Sequence, residues 1–228
     1  MVKETVPEKE KKSKKQNLDK QFYWVLGTMV FLIAAFLVSF GIGQKANEFE
    51  HEGLQFKEEM FGEIQLYRHD YFTERIGRTS TGQIVNTGEA KNVIVYLRND
   101  PRELTVPVEG KIEYLPKGKF IYITFSSEGL FCEYSNVAIA NLINFLSSNS
   151  FVAKAAASDE QAAEESELQH ITCENRPDHM VLSFQGAEET SIVREEDTNC
   201  YRINVANCEV LEAVDQFVVQ SLIDAREE

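Results

Sequence analysis

From Phe22 to Gly43 the chain reads FYWVLGTMVFLIAAFLVSFGIG, 22 residues without a charge. A helix of that length spans roughly 33 Å and crosses the hydrocarbon core of a bilayer. The run is apolar on every face, unlike the one-sided helices of globular cores. Phe22, Tyr23 and Trp24 open it, where aromatic rings settle at headgroup level. The pattern predicts a transmembrane helix over 22–43, too long for the apolar core of a cleaved signal peptide and therefore retained as a signal-anchor.

Past a charged neck, 44–57, the apolar positions come in short alternating bursts that predict strands over 63–71, 92–98, 111–115 and 120–125. The polar, Gly- and Thr-rich stretch 77–91 reads as an exposed loop, and Asn99-Asp100-Pro101 as a turn. The period then changes. Val137, Ala140, Ile143 and their neighbours recur at three and four residues, predicting a helix over 136–145, with Ser135 or Asn136 as its cap. A strand over 151–155, an exposed helical segment over 158–167 and strands over 171–173, 180–185, 191–194 and 201–205 follow. Val210, Leu211, Val214, Phe217, Val218 and Leu222 stripe a closing helix, 208–225. The expected architecture is an α/β or α+β two-layer domain over 58–228, with a sub-boundary near 116–118 left open.

Charge orients this plan. Seven lysines and four acidic residues precede the apolar run, a balance of +3 that leaves −17 for the rest of a chain at −14. Lysines near the start of a span hold that end in the cytoplasm. Residues 1–21 are thus expected to be a cytosolic tail that contacts anionic headgroups, and 44–228 to be extracytoplasmic. The acidic balance disfavours nucleic acid as a partner, and 12 Gly with 5 Pro exclude collagen-like and low-complexity classes. Ala35, Ser39 and Gly43, at i, i+4 and i+8, form a ridge of small side chains through which two copies of the helix could associate.

The four cysteines, Cys132, Cys173, Cys200 and Cys208, all fall on the side assigned to the oxidising compartment, which predicts two disulfides. Three connectivities are open, with Cys173–Cys200 favoured because both adjoin strands of the last sheet. Cys132 alone carries a second reading. It lies between a predicted strand and a predicted helix, where the helix dipole favours a thiolate.

The strand over 120–125, Cys132-x-x-Ser135 opening a helix, the strand over 151–155, Arg176-Pro177 ahead of the strands in 180–194, and the terminal helix together resemble a thioredoxin-like domain over about residues 118–225. That resemblance implies a membrane-tethered thiol–disulfide exchanger with Cys132 as nucleophile and Ser135 in place of the motif's second cysteine. Over the whole chain, the run Val95 to Arg102, Ile171-Thr172-Cys173 and Asn199-Cys200 resemble uncharacterised archaeal-type single-pass membrane proteins. This implies a tethered extracytoplasmic domain and carries no activity with it.

Other constellations are thin. His170-x-x-Cys173 with His179 offers zinc three ligands where it takes about four, so neither a metal nor another cofactor is expected. Arg98 and Arg102 around the Asn-Asp-Pro turn could face a carboxylate or phosphate. The chain has no phosphate loop, His-Glu-x-x-His, Gly-x-Ser-x-Gly or EF-hand pattern. The expectation is therefore a structural or protein-interaction domain working with an unidentified envelope protein and the bilayer, with the thiol exchanger as the alternative.

Overall fold

The structure, a computed structural model, describes residues 21–37, 47–78, 84–114, 120–126 and 132–226. The chain divides into two units, 1–48 and 49–228.

The first unit contributes helix α1, residues 21–37, in which every residue is exposed. Seventeen residues of helix rise about 26 Å, short of a hydrocarbon core of about 30 Å. No helix among the described residues is long and apolar enough to cross a membrane. The remainder of the expected span, with Ser39 and Gly43 of its small-residue ridge, lies outside the described residues, as do 1–20 of the tail; Ala35 sits exposed on α1.

The second unit is a mixed α/β domain. Strands β1 (Glu48–His51), β2 (Leu54–Phe61), β3 (Ile64–Arg78) and β4 (Ile84–Leu97) form an antiparallel meander in sequence order. Strands β5 (Val108–Glu109), β6 (Phe120–Phe125), β7 (Val152–Ala157), β8 (Met180–Gly186), β9 (Ser191–Arg194) and β10 (Cys200–Val205) form a second sheet in the order β5-β9-β10-β8-β6-β7. In it β7, β6, β8 and β10 run parallel, while β9 is antiparallel to β10.

Helix α2 (Ser135–Ser148) makes the crossover between parallel β6 and β7, α3 (Glu160–Glu165) is a single short turn capped by Asp159, and α4 (Val210–Asp224) closes the chain. One core joins Leu54, Phe56, Val93 and Leu97 of the first sheet, Ala138 and Leu142 of α2, Val214 and Phe217 of α4, and Ile123, Leu182 and Ile203 of the second sheet. Helix α4 is buried around most of its circumference, as a helix must be when both its sides face sheets. The two-layer expectation is corrected accordingly: α2 and α4 lie between two sheets. The opposite face of the second sheet carries a smaller cluster of Tyr122, Val181, Cys200, Ala156, Ile171 and Cys173.

Several expected boundaries change. The neck expected over 44–57 is structured from 48 onward, because Leu54 and Phe56 alternate into the core on β2 and polar neighbours such as Gln55 face out. The loop expected over 77–91 is mostly strand. There β3 and β4 pair as a long hairpin, and a shift in register between Glu74 and Ile76 leaves three β4 residues opposite one on β3. Gly88, at φ +72°, takes the left-handed backbone this bulge needs. Residues 111–114 of the strand expected over 111–115 have no ladder, and neither has 171–173, whose Ile171 and Cys173 pack over the second sheet from an irregular segment. The joint near 116–118 lies outside the described residues.

Candidate functional site

Helices α2 and α4 both begin near one edge of the domain and end near the other, and each end has its own chemistry. Where they end, a cavity of about 470 Å³ opens against the inner face of β3. Alternation along β3 sends Tyr67, His69 and Tyr71 to that inner face, while Arg68 and Asp70 point outward and pair with each other at 2.9 Å.

His69 is buried, and its Nδ1 lies 2.8 Å from the Gln55 carbonyl oxygen. That contact fixes Nδ1–H as the donor. The ring stacks on Tyr71 at 5.7 Å and tilts against Phe56. Asn149, the residue that ends α2, donates from Nδ2 to the Tyr71 hydroxyl at 2.6 Å and to the Phe145 carbonyl at 2.9 Å, so its Oδ1 remains an open acceptor. Burial pushes the Tyr71 hydroxyl up to about 12, so it is neutral and keeps its proton to donate.

Tyr114 forms the opposite wall. Its hydroxyl donates to Ser221 Oγ at 3.0 Å, Ser221 donates onward to the Phe217 carbonyl, and burial raises the phenol well above its usual range. Phe151 stacks on Tyr114 at 4.8 Å. Buried Asp224 fastens this wall to α4 by accepting from Ile112 N at 2.7 Å. At the rim, Gly53 turns β1 into β2 at φ +74°, and a Cβ there would lie 2.5 Å from Arg226 Nη1. The exposed Arg226 guanidinium therefore lies over the glycine and has no partner among the described residues.

The other end of the same helices holds the cysteines. Cys132 is bonded to Cys208, with Cα atoms 5.7 Å apart, and this bridge ties the segment entering α2 to the segment entering α4. Ser135 Oγ accepts from Cys132 N at 3.1 Å, and Ser135 N donates back to the Cys132 carbonyl at 3.2 Å, which closes the turn that starts α2. Cys173 is bonded to Cys200, with Cα atoms 5.4 Å apart, as their adjoining strands suggested. All four cysteines are thus paired. The Cys132–Cys208 bridge and the cavity are separated by the length of α2, about 20 Å for its 14 residues.

The remaining sequence candidates are engaged in structural contacts. His170 Nε2 lies 3.2 Å from the Ser158 carbonyl, and the His179 ring meets Tyr122 edge-on. Among the described residues one trio is close enough for a metal, Cys173, Glu195 and Cys200, and two of its members are bonded to each other. Arg102 is held by Asp100 and Glu58 and packs on the Phe49 ring at 3.8 Å, so it is not open to an incoming anion. The turn that carries it is closed from α4. Buried Asp215 Oδ2 accepts from Arg98 N at 3.0 Å, Asn99 N at 2.9 Å and Asn99 Nδ2 at 3.0 Å. Burial pushes this carboxyl up to about 7, against the three donors that favour its charged form.

None of the cavity's polar groups belongs to a motif. The available signal was a row of polar aromatics, Tyr67, His69 and Tyr71, on the face of β3 that opposes Val93, Val95 and Leu97. No family model, curated protein or solved structure matches the chain.

Proposed function

We propose that the protein is a single-pass, N-in signal-anchored protein whose disulfide-tied α/β domain works outside the cytoplasm, by binding rather than by catalysis. The observation that carries this reading is α1, an apolar helix with every residue exposed, continued in the sequence by uncharged residues to Gly43. Side chains such as Phe31, Leu32 and Phe36, more than half exposed, are stable only in an apolar surrounding. Two cystines in one domain favour an oxidising compartment. Binding is favoured over chemistry because the nucleophile-type groups have structural tasks: Cys132 is bonded to Cys208, Ser221 donates to a backbone carbonyl, and the His69 Nδ1–H does likewise.

An envelope protein is the proposed partner of the domain and the lipid bilayer that of α1, with self-association through the helix as a further contact.

Alkylation of the full chain in membranes, before and after reduction, tests this. All four cysteines are expected to resist labelling until reduced, and a cysteine placed at Lys12 should react with an impermeant reagent only after the membrane is opened. Rapid labelling of Cys132 well below pH 8.5, the ordinary thiol value, would instead make the chain a thiol exchanger. Labelling of the Lys12 position in sealed membranes would reverse the orientation.

A further inference from the structure

We propose that the cavity between β3 and the carboxyl ends of α2 and α4 is a binding site for a monocarboxylate with an apolar body, its carboxylate held by Arg226 at the rim and its body lying between the aromatic walls. This goes beyond the reading above and does not depend on where the domain resides.

The charges around the cavity leave one group free. Lys91 Nζ donates to the Ser148 carbonyl at 2.8 Å, so the carboxyl end of α2 already has its cation. Asp70 is paired with Arg68 on the outer face of β3, and buried Asp224 accepts from the Ile112 amide and from Gln220 Nε2. Arg226 lines the cavity, and its guanidinium lies over Gly53 with no hydrogen bond or ion pair among the described residues. A guanidinium offers parallel N–H donors whose spacing matches the two oxygens of a carboxylate.

The interior selects the rest of the ligand. Leu54, Phe145, Phe151 and Leu222 line it together with the rings of Tyr71 and Tyr114. Several of its polar groups already answer one another: Tyr114 donates to Ser221, Ser221 to the Phe217 carbonyl, and Asn149 Nδ2 to the Tyr71 hydroxyl oxygen. The Tyr71 hydroxyl proton and Asn149 Oδ1 stay open side by side, a donor and an acceptor that suit one hydroxyl on the ligand's body. A second charge in the interior would be desolvated without a partner. The volume of about 470 Å³ is that of a small-molecule site.

The test uses four probes on the full chain in micelles, with micelles alone as the blank: 3-phenylpropanoate, the uncharged 3-phenylpropan-1-ol, the cation 3-phenylpropan-1-amine, and acetate, which has the charge without the body. Affinities come from titration calorimetry and the site from amide chemical shifts. Phenylpropanoate should bind at least about tenfold more tightly than the alcohol and than acetate, with shifts centred on residues 53–55, Tyr71 and Asn149. Arg226→Gln, at an exposed position that does not threaten folding, should weaken phenylpropanoate about tenfold and leave the alcohol unchanged. Arg226→Lys, which keeps the charge and loses the fork, should fall between them. The proposal is overturned if the alcohol or acetate equals phenylpropanoate, if the amine binds best, if Arg226→Gln leaves phenylpropanoate unchanged, or if none of the four binds at about 10 mM.

Discussion

The two sheets solve opposite problems. The first is wet on one face: on β4, buried Val93, Val95 and Leu97 alternate with exposed Asn92, Ile94 and Tyr96, and across the sheet Arg68 bridges Glu59 and Asp70. The second is dry on both faces at its centre. Met180, Leu182 and Phe184 of β8 face the helices and Val181 faces Ile171 and Cys173, with Met180 to Leu182 fully buried in succession. The cover of that second face is an irregular segment with few backbone bonds of its own. Both disulfides lie in this half of the domain and none in the first sheet. Covalent links stand where a layer lacks a ladder to hold it, and charge pairs stand where the layer meets water.

The largest test of that contrast is to remove the links. In a chain-entropy treatment, opening Cys132–Cys208, separated by 76 residues, costs about 4.5 kcal/mol, and opening Cys173–Cys200, separated by 27, about 3.6 kcal/mol. The paired serine variants should lose stability in that order in urea titrations. Hydrogen exchange should rise first in 170–175 for the second pair, while the β3–β4 amides keep their protection. Equal loss of protection in both sheets would show that the links serve the whole domain alike.

The same contrast explains what the sequence revealed. Continuous apolar runs and clean alternation exposed β6, β9 and most of β8, and the helical stripes exposed α2 and α4. The β3–β4 hairpin beyond residue 73 carries exposed Thr, Glu and Gly, so burial left no imprint there; backbone pairing and the Gly88 bulge define it instead. Ile171-Thr172-Cys173 looked like a strand because it is apolar, and it is apolar because it covers one. The cystine partners were legible where strands adjoin, at Cys173 and Cys200, and not at Cys132 and Cys208, whose meeting depends on two helices starting side by side. The cavity was hidden for a related reason. Its walls come from residues 53 to 226, and no period or short motif joins Tyr71 to Asn149 or Tyr114 to Ser221.

Asp215 joins the two halves, since it sits on α4 and holds the backbone that leaves β4. Its carboxyl is raised by burial from 3.8 to about 7, so between those values the folded state binds a proton that the unfolded state has released. Its contribution to stability is therefore full below pH 3.8 and lost as pH rises to about 7, a swing on the order of 4 kcal/mol. Asp215→Asn should flatten the stability profile from pH 4 to 8 relative to the unaltered chain. Because Asn still offers a carbonyl to the Arg98 and Asn99 amides, fluorescence-monitored unfolding should show the variant weaker at pH 4 and equal or stronger at pH 8. A constant difference across that range would mean that the carboxylate remains charged in the fold.

The smallest expected effect separates the sheets most sharply, because side-chain size and cost run in opposite directions. Val181 is fully buried on the second face of β8, and Val181→Ala should cost about 2 kcal/mol, two methyl groups of transfer plus the void they leave. Phe72 is far larger but 77% exposed on the outer face of β3, opposite Asn92. Phe72→Ala there should cost only about 0.5–1 kcal/mol, the value of a cross-strand pair. If the purified chain obeys this order but Phe72→Ala becomes the costlier change in native membranes, the outer face of the first sheet is covered by the envelope partner. If Phe72→Ala costs less than Val181→Ala in both settings, that face stays in water and the partner contacts another surface of the domain.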